Sequence, residues 1–209
     1  MSILRQPFHY RFYNVTAILV IVNILVYAAQ RFLSYNAITS FLALNIINVL
    51  NGNVWQFFTY MFAHGNFNHL LFNMFALFLF GSQVEREMGS SEFLLYYLVC
   101  GIFAGAFSFL AYLFTGAGYV FLLGASGAIF AVQLAFAVLR PNAIIYFWGL
   151  IPLRAPIMVL GATAIELFST LSGSTSNIAH LTHLFGFATG WLYFLIRFGA
   201  NPVRYLFRR

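Results

Sequence analysis

Ser126 and His183 lie in two different long apolar stretches, and each stands fourteen positions before an arginine, Arg140 and Arg197. Arginines at the ends of apolar spans mark a membrane surface. At about 1.5 Å of rise per helical residue, both side chains then lie about 21 Å from that surface. In a hydrocarbon core about 30 Å thick they are buried at one depth, nearer the opposite face. A hydroxyl and an imidazole at matched depth have the chemistry of a nucleophile and its base, the ring taking the proton as the oxygen attacks a carbonyl.

The surroundings of each residue sharpen the pair. Ser126 sits in Gly124-Ala125-Ser126-Gly127, where small residues at a helix start expose the hydroxyl and leave backbone N–H groups free to meet negative charge. The pattern is not the hydrolase elbow G-x-S-x-G, because Ala128 occupies the last glycine position. His183, Gly186 and Gly190 are spaced i, i+3, i+7 and share one helix face. Two glycines below a histidine let a second helix press close, and the helix bearing Gly127 is the natural partner. His180 competes as the base from a similar face. It has no glycine groove below it and lies about one turn nearer the outer surface, so His183 is the expected base.

A third cluster, His64-Gly65-Asn66-Phe67-Asn68-His69 through Asn73, places His69 and Asn73 at i, i+4 on one face. Their depths bracket that of Ser126, where donors would hold an oxyanion; capping and interhelical hydrogen bonding are the structural alternative. His64, His69, His180 and His183 also suggest metal ligands, yet HExxH, a cysteine cluster and aspartate are all absent from the sequence. No metal and no cofactor are therefore expected. Glu85, Glu87 and Glu92 belong to a turn far from Ser126, while Glu166 lies about 18 Å along its span from Arg154 and approaches the depth of the site. The sequence assigns it no role. Without aspartate a Ser-His-Asp triad is impossible, and a Ser-His dyad is the simplest catalytic set.

The elements that must position these groups are membrane spans. The chain of 209 residues is 62% hydrophobic and 7% charged, against about a quarter charged in soluble domains. Six helices are expected, near Val15–Phe32, Asn68–Val84, Glu92–Phe114, Ala125–Leu139, Arg154–Leu171 and Asn177–Phe198. The first could pass for a signal peptide, but its run is long and more spans follow, so it is retained. The second and fourth are short and preceded by apolar loop, which implies irregular backbone that protein must bury. The aromatic stretch from Ser34 to Phe67 suits an interfacial element. Arg5, Arg11, Arg86, Arg140, Arg154, Arg197, Arg204, Arg208 and Arg209 fall on one side, cytoplasmic by the positive-inside rule, and Arg31 towards the other. The fold class expected is thus an all-α bundle of six transmembrane helices, one domain over residues 1–209, with both termini cytoplasmic. A net charge of +6 carried by scattered arginines speaks for lipid headgroups and against nucleic acid. Cys100, alone in an apolar span, reads as core.

In motif order the chain resembles the rhomboid family of intramembrane serine proteases over nearly its whole length. The family pattern H-x4-H-x3-N, G-x-S-G and H-x2-G-x3-G has its counterparts at His64/His69/Asn73, Gly124/Ser126/Gly127 and His183/Gly186/Gly190. The resemblance implies Ser126 as nucleophile and His183 as general base and acid. It implies an oxyanion hole made by His69, Asn73 and the Ser126 N–H, and an aromatic, Phe130, under the histidine. It further implies transmembrane protein substrates cut near the extracytoplasmic side, in a multi-pass protein of a bacterial inner membrane. An inactive relative that binds membrane helices is the alternative. Trp55-Gln56 replaces the family's frequent Trp-Arg, Glu85-Arg86-Glu87 stands where Glu-x-Arg is common, and Phe130 lacks the commoner tyrosine hydroxyl.

Overall fold

A computed structural model of the chain describes residues 6–116, 118–147, 149–172 and 177–207. Arg5, Arg208, Arg209, Ala117 and most of the loop after Ser172 lie outside the described residues. Helix α1 (Val15–Phe32) leads into three short helices, α2 (Tyr35–Leu42), α3 (Ile46–Leu50) and α4 (Gln56–Thr59), the last continued by a 3-10 turn at Tyr60–Phe62. Next come α5 (Phe67–Ala76), a π turn at Leu77–Gly81 and α6 (Ser82–Met88), which form one continuous apolar span, Phe67–Met88. Helix α7 (Ser90–Thr115) is the longest, and α8 (Ser126–Leu139) is short and central. A hairpin, β1 (Ile144–Phe147) and β2 (Ile151–Arg154), precedes α9 (Ala155–Leu171) and α10 (Asn177–Tyr193). A second π turn at Phe194–Phe198 and α11 (Pro202–Leu206) follow.

Among the described residues, three helical stretches are long and apolar enough to cross a membrane: Val15–Phe32, Phe67–Met88 and Ser90–Thr115. Helices α8 and α9 are shorter apolar helices. Polarity runs inside out, as lipid requires. On α1 the buried side carries Thr16, Asn23 and Gln30, while Ile18, Ile21 and Leu25 face outward. Phe72, Phe75 and Phe78 are likewise turned out from the Phe67–Met88 span.

Helix α8 is the axis of the bundle, with α7, α10, α9 and the α5–α6 span packed around it. Its residues from Ala131 to Val138 are buried apart from Gln133, and small alanines bring its neighbours close. At one end of the bundle, acids and arginines tie the helices together. Glu85 accepts from the Val15 and Thr16 amides (2.6 and 2.8 Å), the Thr16 hydroxyl (2.7 Å) and the Ser90 hydroxyl (2.5 Å), so it caps the start of α1 from another helix. Arg197 pairs with Glu92, and Arg140 with Glu87.

The expected irregular backbone ahead of α8 is present and is buried by protein. Leu44 and Leu122 exchange backbone hydrogen bonds of 2.8 and 2.9 Å, and the Gly124 amide donates to the Tyr60 carbonyl (2.9 Å). The stretch from Ser34 to Phe67 is folded into short helices rather than a loose loop. Gln56, fully buried, pins it: its Oε1 accepts from the Asn45 amide, and its Nε2 donates to the Ser40 and Phe41 carbonyls. The amide thus does packing work at the position where an arginine is common in the resembled family.

The all-α expectation needs one correction, the β1–β2 hairpin with Ile144 opposite Arg154 and Phe147 opposite Ile151. Its strands are apolar on both faces, so the sequence lacks the period-two alternation that marks a strand.

Candidate active site

The serine is delivered by the turn into α8. Gly124 has φ of 120°, a conformation that a side chain would strain, and a Cβ there would lie 2.7 Å from His69 Cε1 and Nε2. The chain can therefore turn tightly against the His69 ring and begin α8 at Ser126. The first amides of that helix have no helical acceptor, and they sit beside the serine oxygen.

His183 reaches the serine because α10 lies against α8 without a gap. A Cβ on Gly186 would stand 1.9 Å from the Gly127 carbonyl oxygen, and one on Gly190 would stand 2.6 Å from the Tyr96 hydroxyl. The helices meet backbone to backbone at Gly186 and Gly127, as the glycine face predicted. One turn above, His183 Nε2 lies 2.8 Å from Ser126 Oγ. Equal depth alone does not fix the angle between two helices; here the two side chains lie within hydrogen-bonding distance. Phe130 stacks flat beneath the imidazole, with centroids 4.5 Å apart and planes 7° from parallel.

His69 and Asn73 border the same turn. Asn66 caps α5 by accepting from the His69 amide (2.8 Å). Asn73 Nδ2 donates back to the His69 carbonyl (2.8 Å), which leaves its second N–H available, and it stands 3.9 Å from the Gly124 Cβ position. His64 is buried behind, edge-on to His69 at 5.1 Å.

The structure pairs His180 with Glu166. Its Nδ1 contacts Glu166 Oε2, and the other carboxylate oxygen, Oε1, lies 3.0 Å from His183 Nδ1. Glu166, open in the sequence, therefore belongs beside the site. The three donors lie within 4.8 Å of one another. The glutamate faces each ring through a separate oxygen, hydrogen-bonding His180 Nδ1 and lying close to His183 Nδ1 without being aligned for a hydrogen bond.

A serine, a stacked histidine and flanking donors, cradled by a short helix inside an apolar bundle, define a serine-hydrolase-like site within a membrane protein. Residues 51–200 match the Rhomboid domain model, and the chain belongs to the rhomboid family. It is 35% identical to YdcA of Bacillus subtilis (strain 168), named as a candidate rhomboid protease, over 70% of this chain and 68% of that protein. It is 30% identical to the chloroplastic Rhomboid-like protein 11 of Arabidopsis thaliana, over 82% of this chain and 61% of that one. Against the rhomboid protease GlpG of Salmonella choleraesuis (strain SC-B67) it is 32% identical, over 44% of this chain and 33% of that protein.

Proposed function

We propose that this chain is an intramembrane serine endopeptidase in which Ser126 is the nucleophile and His183 the general base and acid. The observation that carries the reading is the 2.8 Å contact between His183 Nε2 and Ser126 Oγ. In the proposed reaction Oγ attacks the scissile carbonyl while its proton passes to Nε2. The resulting oxyanion is met by the amides at the start of α8 and by N–H donors of His69 and Asn73. Nε2 then gives the proton to the leaving amine as the C–N bond breaks. Water, activated by the same ring, hydrolyses the acyl-enzyme. No cofactor enters this scheme.

The substrates in this reading are transmembrane protein segments, cut near the extracytoplasmic face. Residues 1–209 act as one domain of six spans in a bacterial inner membrane, with both termini cytoplasmic. The grouping of Arg11, Arg140 and Arg197 with their partners at one end of the bundle, and of Arg31 with Tyr27 and Tyr35 elsewhere, supports that orientation.

The test is cleavage of a transmembrane reporter by the purified full chain in detergent. Wild-type protein is expected to cleave it and to be labelled by a fluorophosphonate, and Ser126→Ala to lose both. Cleavage that survives Ser126→Ala would remove the serine from the mechanism. Binding of the reporter without cleavage or labelling would favour an inactive, helix-binding relative.

A further inference from the structure

We infer that Glu166 is a third member of the site, a positioning residue that holds His183 in its working tautomer and stabilises the ring once it is charged. The inference rests on the serine-protease reading above. For Nε2 to accept the Ser126 proton it must present a lone pair, so the ring proton belongs on Nδ1. That atom is buried and, among the described residues, has no well-aligned hydrogen-bond acceptor. At 3.0 Å from it lies Glu166 Oε1, out of line with the direction in which Nδ1–H points. A small rotation of the ring or the carboxylate straightens this contact, and catalytic hydrogen bonds are often bent before substrate binds.

The rest of the geometry restrains the carboxylate for that purpose. Glu166 is the one ionisable side chain in the apolar helix α9, and its side chain is 15% exposed. A carboxylate at such a position is costly unless partners compensate, and ionisable groups inside membrane helices mark function. Its partners are the two histidines that face α9 from one side of α10, three residues apart, one on each oxygen. The contact of His180 with Oε2 keeps the carboxylate from swinging away from His183. His183 is then held on three sides: Phe130 on its face, Ser126 at Nε2 and Glu166 at Nδ1.

When Nε2 takes the serine proton, the ring becomes an imidazolium. Glu166 stabilises that charge at short range, in surroundings less polar than water, without taking the proton itself. The dyad read from the sequence thereby becomes a serine–histidine–glutamate set, with His180 as the brace behind it.

The experiment compares wild type, Glu166→Gln, Glu166→Asp and Ser126→Ala as purified full chains in detergent. It measures fluorophosphonate labelling at Ser126, kcat and KM on a transmembrane reporter, and thermal midpoints. Glu166→Gln is expected to lower kcat and the labelling rate about 100-fold while KM stays within about twofold, the pattern of an interaction made only in the transition state. Glu166→Asp, which keeps the charge on a shorter arm, recovers about tenfold of that loss. A Glu166→Gln enzyme whose kcat stays within about threefold of wild type, or whose deficit lies in KM, overturns the role of Glu166 and leaves the serine reading standing. So does wild-type cleavage abolished by EDTA, which would assign the three donors to a metal ion. Wild-type protein that neither labels at Ser126 nor cleaves overturns both readings.

Discussion

At the scale of single residues, the site depends on how the imidazole of His183 is presented rather than on its mere presence. Phe130 fixes the ring plane by a parallel stack at 4.5 Å, so it sets the direction in which Nε2 points. Phe130→Leu keeps the apolar volume and removes the flat face. It is expected to lower kcat about tenfold with KM nearly unchanged, since misalignment of a base costs rate more than binding. Steady-state kinetics on the reporter decides this; an unchanged kcat means the stack does not orient the ring. The types and spacings of Ser126, His183, His69 and Asn73 made them legible in the sequence, because local patterns on single helices carry them. The partner of Glu166 was not legible. Its contacts lie fourteen and seventeen residues away on the next helix, and only the rotation of α9 against α10 decides which side chains meet.

At the scale of elements, the distance between Ser126 and His183 is set by how closely α10 approaches α8. At Gly186 that approach leaves no room for a methyl group, since a Cβ would fall 1.9 Å from a backbone oxygen that cannot rotate away. Gly186→Ala is therefore expected to push α10 outward by about 1 Å or more and to cut the labelling rate at Ser126 about 100-fold, the usual cost of such a displacement. Stability should fall by about 1–3 kcal/mol, as for other overpacked contacts. Labelling and thermal unfolding in detergent measure the two effects separately, and a Gly186→Ala enzyme that labels normally means the helices are not closely constrained here. The glycine face and five of the six expected helix positions were readable from motif and hydropathy to within a few residues. The second span was placed correctly, but it runs on to Met88. Its π turn at Leu77–Gly81 was hidden, since it ends an unbroken apolar run from Met74 to Gly81, where no polar face betrays a shift in turn. The β1–β2 hairpin escaped for a related reason: apolar residues on both strand faces leave nothing to alternate.

At the scale of the whole molecule, one end of the bundle is locked by charge while the other carries the site. Glu85 is fully buried yet accepts four hydrogen bonds that join the start of α1 to α6 and α7. Glu85→Gln removes the charge and replaces one acceptor oxygen with a donor, which the donors around it cannot satisfy. A loss of about 2–3 kcal/mol follows from charged hydrogen bonds left unmade, or roughly 4–12 °C in a chain of this size. Thermal unfolding in detergent checks it, with Ser126 labelling well below the midpoint expected to persist.

The same charged end is what the proposed orientation rests on. In the proposed orientation the arginine-rich end lies at the cytoplasmic surface, as the positive-inside rule would have it. Cys100 is fully buried, which makes single added cysteines readable against a silent background. Ser172→Cys, exposed at the end of α9, is expected to react with an impermeant maleimide in intact cells. Phe207→Cys, exposed just after α11, should react only once the membrane is permeabilised. The reverse pattern would place Ser126 and His183 nearer the cytoplasmic face and move the proposed cleavage position of substrates to that side. Labelling at both positions in intact cells would mean that the two ends share the outer surface, which excludes an even number of crossings with both termini inside.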